Sequence, residues 1–152
     1  MKKVGIVAAT FFGVGFLPVA PGTWASLLTA LIVFFTPLSA LPFVFLALIT
    51  AAVYAIGIPA AAICEKHYQK QDPRQCVIDE VAGQLVSLWF LPRQAGFYIA
   101  AFLLFRIFDI LKPFPVNKSE ALPRGIGIMT DDVLAGFYTL ALLQGIRYFF
   151  FN

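Results

Sequence analysis

A chain of 152 residues that is 61% apolar, 16% aromatic and 12% charged, with a net charge of +3, carries about half the usual share of charged residues. It has more apolar surface than a soluble core of this size hides, and it reads as one membrane-embedded domain, 1–152. The small positive charge, with no basic patch interleaved with aromatics, excludes a nucleic-acid partner. The single histidine, His67, excludes an ordinary zinc site.

Lys2 and Lys3 open a short apolar run, 4–17, interrupted by Gly5, Gly13 and Gly15. No small-x-small cleavage pattern follows it, so it does not read as a cleaved signal peptide. PVAPG at 18–22 breaks the chain. A second run, about 23–36, stops at Pro37. The longest, 41–63, opens with Pro42 at a helix start and carries Pro59 as a kink. EKHYQKQDPRQ, 65–75, reads as aqueous, with Glu65 and His67 as solvated loop residues. Run 77–91 ends at Pro92, and 95–111 ends at Lys112-Pro113. A second polar loop, 112–130, contains Glu120 as another solvated acid. The last run is 131–151. Cys64 and Cys76 stand in no metal or redox spacing and read as buried or juxtamembrane thiols.

A spanning helix needs about 20 residues, and the alternation of a membrane barrel is absent. The fold class is therefore all-α: a polytopic membrane helix bundle of about five long apolar helices, with 4–17 as a short interfacial or re-entrant segment. Alternating the runs across a bilayer gathers Lys66, Lys70, Arg74, Lys112, Lys118 and Arg124 on one side, leaving Arg93 and Arg147 on the other. The positive-inside rule makes the first side the cytoplasm.

The acids converge on that side. Asp79 and Glu80 start a helix leaving it, Asp109 ends a helix arriving there, and Asp131 and Asp132 start the last helix, with Thr130 as its N-cap. Arg106 lies one turn deeper than Asp109 on the same face. A charge in hydrocarbon costs roughly 2.5 kcal/mol or more, so these residues need compensation. DEVAG at 79–83 and DDVLAG at 131–136 share a pattern, an acidic pair with small residues one turn below, which lets helices approach closely. Five carboxylates in one low-dielectric layer require protons or a cation, and carboxylates with water suit Mg²⁺. Arg106 and Lys112, with Lys118 or Arg124 nearby, suit an anion. The pattern reads as phosphate chemistry at a membrane surface. Each element also has a structural reading: first-turn acids facing a helix dipole, an intrahelical Arg106–Asp109 pair, a solvated helix edge at 79–80, and Thr23 and Ser26 as caps.

PGTWASL at 21–27, DPRQCVIDEVAGQL at 72–85, FRIFDILKPFPV at 105–116 and GIGIMTDDVLAGFY at 125–138 resemble, in order, the blocks of the bacterial phosphatidylglycerophosphatase A family. Where that family commonly has Gly-Thr-x-Gly-Ser, this chain has Ala25. The resemblance implies a Mg²⁺-dependent phosphatase of the bacterial inner membrane, active site facing the cytoplasm, that converts the lipid phosphatidylglycerophosphate to phosphatidylglycerol. Other phosphatase designs are missing: Cys-x5-Arg, paired catalytic histidines and Asp-x-Asp do not occur. The expected mechanism is metal-assisted hydrolysis. Asp79, Glu80, Asp109, Asp131 and Asp132 hold one or two Mg²⁺, and Glu80 or Asp132 is the general base. Arg106 and Lys112 bind phosphate, and the helix start carrying Thr23 and Ser26 offers it further donors. A covalent aspartyl-phosphate stays open. The alternative is a cation transporter or channel subunit, which predicts acids spread through the membrane depth; a structural membrane protein leaves the three acidic clusters unexplained.

Overall fold

The computed structural model of the chain describes residues 2–114, 116–119, 122–123 and 125–150, apart from the side chains at 39 and 117. The loop residues Glu120 and Arg124, expected to be a solvated acid and a base near the phosphate, lie outside the described residues. Seven α-helical segments appear among those described, with no strand: α1 (Lys2–Ala9), α2 (Pro21–Phe35), α3 (Phe43–Tyr68), α4 (Ile78–Ser87), α5 (Ala95–Leu111), α6 (Val116–Ser119) and α7 (Ile126–Phe150).

The all-α class holds, but five long helices do not. Two, α3 with 26 residues and α7 with 25, are long and apolar enough to cross a membrane. At 1.5 Å per residue they reach about 37–39 Å against a hydrocarbon core of about 30 Å. Helices α2 (15 residues), α4 (10) and α5 (17) are shorter. Runs 23–36 and 95–111 nearly match α2 and α5 and were short from the outset, whereas run 77–91 overstated α4 because the turn after that helix is apolar too. Pro37 stops α2. Helix α4 ends at Ser87, and the apolar residues after it form a turn in which Phe90 takes φ 59°. That turn's carbonyls are satisfied from α7: Gln144 Nε2 donates to Trp89 O at 3.2 Å, and Arg147 Nη1 donates to Phe90 O at 2.8 Å. In apolar surroundings such partners are needed, because an unpaired carbonyl there costs several kcal/mol, roughly.

Residues 2–16 do not span. Helix α1 packs on α3, and the chain then reverses through three left-handed residues, Phe11, Phe12 and Gly13. Thr10 Oγ1 accepts from the Gly13 N–H at 3.2 Å. Gly15 passes so close to the Gln75 carbonyl that a side chain would collide with it. Ala9 O accepts the Val77 N–H at 2.8 Å, which fixes the residue before α4.

Two loop expectations change. Helix α3 runs on to Tyr68, so Glu65, Lys66 and His67 form its last turn. Glu65 is no idle acid: its Oε2 accepts the Gly125 N–H at 3.0 Å and holds the entry to α7. Nor does Thr130 cap α7, which begins four residues earlier; its hydroxyl bonds the Tyr54 hydroxyl at 2.9 Å.

Helix α4 packs most extensively on α7, and glycines permit it. A Cβ at Gly83 would meet Asp132 O and the Phe105 ring, and one at Gly136 would meet Gly83 O. The small residues below each acidic pair thus bring the two helices into backbone contact.

Candidate active site

Asp79 and Glu80 occupy the first turn of α4. Asp131 and Asp132 sit in the second turn of α7, not the first. Because α4 and α7 touch at Gly83 and Gly136, Asp132 comes alongside Asp79 and Glu80, and one oxygen from each of the three lies within 4.8 Å of the others. Asp79 is 5% exposed and Asp132 3%; Glu80 keeps slightly more access, with a side chain 14% exposed. Asp79 Oδ1, Glu80 Oε2 and Asp132 Oδ2 accept no hydrogen bond from the protein.

Arg106, near the end of α5, lies beside the cluster. Its Nη1 lies 2.7 Å from Asp109 Oδ2 and 3.8 Å from Glu80 Oε1. Neither Nη1 nor Nε is aligned for a hydrogen bond, so the guanidinium keeps donor capacity in a buried setting. Asp109 also approaches Asp132, so it bridges the base and the acid cluster.

Asp131 is engaged otherwise. Its Oδ2 takes Lys112 Nζ at 2.7 Å, and its Oδ1 accepts the Asp132 N–H at 3.0 Å. Lys112 ends α5 in a left-handed conformation, φ 43°, which turns the chain back toward α7. Asp131 and Gln71 line a cavity of about 230 Å³ beside the cluster.

The start of α2 closes the other side. Gly22 lies against the Glu80 carboxylate, where a Cβ would collide with Oε1. Ser26 is buried and donates its hydroxyl to Gly22 O at 2.9 Å, so it neither caps the helix nor has its proton free for a ligand. Thr23, half-buried, is the third residue of α2 and not its cap. Cys64 and Cys76 are free thiols buried together behind α4. Sequence reading missed the Glu65–Gly125 and Tyr54–Thr130 contacts. No sequence signal announces Tyr54; Glu65 was visible only as an acid ending an apolar run.

The arrangement therefore puts three oxygen ligands with unused lone pairs beside a guanidinium with unused donors. Two buried carboxylates and the largely buried Glu80 face Arg106 as the cation within 4 Å among the described residues, and such crowding favours a divalent ion. Oxygen-only ligands suit a hard ion such as Mg²⁺, and a planar guanidinium suits a phosphate.

Comparison with known proteins agrees with that chemistry. The family model described as Phosphatidylglycerophosphatase A matches residues 7–147. A Bacteroides thetaiotaomicron protein named "Putative phosphatidylinositol-3-phosphatase" is 41% identical over 94% of this chain and 93% of its own. Proteins named Phosphatidylglycerophosphatase A are 37% identical in Haemophilus influenzae, over 97% of this chain and 94% of theirs, and 34% identical in Escherichia coli, over 89% and 78%. No solved structure matches. A match that covers nearly the whole chain, including all four sequence blocks at 21–27, 72–85, 105–116 and 125–138, shows that this protein belongs to the phosphatidylglycerophosphatase A family of phosphatases.

Proposed function

We propose that this protein removes the terminal phosphate of phosphatidylglycerophosphate, giving phosphatidylglycerol, with Mg²⁺ as cofactor. The observation that carries the reading is the buried cluster of Asp79, Glu80 and Asp132, each with an unpartnered oxygen, beside Arg106. Those three carboxylates would hold the ion, and Asp109 and Asp131 keep Arg106 and Lys112 in place. When bound, Mg²⁺ supplies Lewis-acid stabilisation of charge on the phosphoryl oxygens.

The chain's own residues do the rest. Arg106 receives two phosphate oxygens through its planar fork. Glu80, the cluster acid with most solvent access, takes a proton from the attacking water as its oxygen bonds to phosphorus. The bond from phosphorus to the glycerol oxygen breaks, and a proton passes to that oxygen. Gly22, with no side chain, lets the Glu80 carboxylate sit against the start of α2.

The B. thetaiotaomicron relative supports a second reading, in which phosphatidylinositol 3-phosphate is cleaved. Purified protein should release phosphate from phosphatidylglycerophosphate faster than from phosphatidylinositol 3-phosphate or phosphatidic acid, and chelation should abolish release until Mg²⁺ is restored. Preference for the inositol lipid would replace the substrate, and full turnover in chelator would remove the cofactor.

The bundle also fits a multi-pass protein of the bacterial inner membrane with its site facing the cytoplasm. Lys66, Lys70, Arg74, Lys112 and Lys118 accompany the acids, while Arg93, between α4 and α5, and Arg147, near the end of α7, belong to the other end. In cells, Lys118→Cys should react with a membrane-impermeant thiol reagent only after the cytoplasmic side is opened. Labelling of intact cells would invert the orientation.

A further inference from the structure

We infer that the apolar groove between α2 and α5 seats one acyl chain of the lipid whose phosphate the acid cluster receives; this rests on the lipid-phosphatase reading above. The groove has a volume of about 220 Å³ and is lined by side chains including Leu27, Leu31, Phe34, Tyr98, Ile99 and Phe102. That is below the roughly 300–1,000 Å³ of pockets that enclose a whole small molecule, so it suits one part of a larger one. Ala30 and Tyr98 are buried, whereas Leu31 and Ile99 are 40% and 60% exposed at its rim. It is a trough open along its side.

Its position identifies the occupant. Both walls are helices that also build the site. Helix α2 brings Gly22 against Glu80 at one end and lines the groove from Leu27 to Phe35. Helix α5 carries Arg106, and Phe102, one turn back, is the groove residue nearest to it. At 1.5 Å per residue, the groove starts about 6 Å from Arg106 along α5 and about 7 Å from Gly22 along α2. Both helices lead away from the acids toward the same far end, where the Arg93 guanidinium lies 5.7 Å from the centre of the Phe34 ring. A phosphate on Arg106 therefore leaves its glycerol backbone at the groove mouth and one chain pointing down it. The edge-on pair of Phe34 from α2 and Tyr98 from α5, centroids 5.1 Å apart, ties the two walls together.

An acyl chain leaving a bilayer for this groove gains no hydrophobic energy, because lipid is as apolar as leucine. What the groove supplies is alignment. A chain laid between two helices fixes the direction from which the phosphate meets the acids, and misplacement by about 1 Å costs up to about a hundredfold in rate.

The test compares long-chain phosphatidylglycerophosphate with its deacylated, water-soluble headgroup. Ile99→Trp and Leu31→Trp fill the trough from exposed positions. Each should lower the lipid-to-headgroup ratio of kcat/KM by about tenfold. Leu48→Trp, on the exposed face of α3, should keep the wild-type ratio. A wild-type protein active on neither compound defeats the phosphatase reading itself. A wild type active on both, with the ratio unchanged in the two groove variants, overturns the groove alone. On the unmodified protein, a substrate carrying a diazirine midway along one chain should crosslink to 95–102 or 27–35. Crosslinks confined to α3 would overturn the assignment.

Discussion

Two helices carry nearly the same local sequence, DEVAG in α4 and DDVLAG in α7, and put it to different use. In α4 both acids enter the carboxylate cluster. In α7 the pair divides: Asp132 joins Asp79 and Glu80, while Asp131 pairs with Lys112. The glycines are alike and do the same job, since each removes the Cβ that would hold the helices apart. The difference comes from outside the motif. Adjacent residues on a helix point about 100° apart, so two neighbouring acids meet different surroundings. For Asp131 the surroundings include the end of α5, where a left-handed Lys112 delivers an ammonium. A motif thus sets how near two helices come, and the neighbouring elements set what each side chain does there.

Substitutions can break this comparison, and the largest effect is expected within the cluster. Asp79→Asn and Asp132→Asn each remove one anion from the cluster and should lower kcat/KM by about a hundredfold or more, roughly 2.7 kcal/mol of transition-state stabilisation, with normal membrane insertion. Near-wild-type turnover in both would dissolve the shared site. Arg106→Lys comes next. It keeps the charge beside Asp109 but loses the planar fork, and should reduce kcat/KM by at least about tenfold. Replacing Arg106 and Asp109 together by Leu discriminates further, because a purely structural pair exchanged for apolar residues can leave folding intact. A folded, inactive double variant is expected, and an active one would reduce the pair to mutual satisfaction. The smallest effect should fall on Asp131→Asn, which retains a polar partner for Lys112. Its loss of kcat/KM should stay below about tenfold, and a loss equal to that of Asp132→Asn would erase the distinction between the two α7 acids.

What could be read in advance follows the same division between local and distant causes. The span of α5 matched its apolar run because its limits are local: Gln94 precedes it and Lys112-Pro113 ends it. The close approach of α4 and α7 was visible in two small-residue patterns. The end of α4 was not visible, since Leu88, Trp89 and Phe90 are as apolar as the helix before them and their turn is held by side chains of α7. The start of α7 was placed five residues late, at 131 instead of Ile126, because Thr130 looks like a cap in isolation. Gly125, with φ 68°, and Glu65 make the real beginning. All the acids that meet were named from sequence, but their sorting into cluster and ion pairs depends on partners from α5, and helical phase alone did not supply it.

Helix α7 grips α4 at both extremities. Asp132 and Gly136 meet its first turns, while Gln144 and Arg147 hold the carbonyls just past its last. A ten-residue helix is too short to persist alone, so α4 has no independent existence apart from this grip. Its backbone amides should therefore exchange with deuterium in step with those of α7, as one cooperative unit. Loosening at the Arg147 end would then reach the carboxylates at the opposite end, about 15 Å away along α4, without any contact being altered between. The acid cluster would then owe its rigidity to contacts at the opposite end of α4.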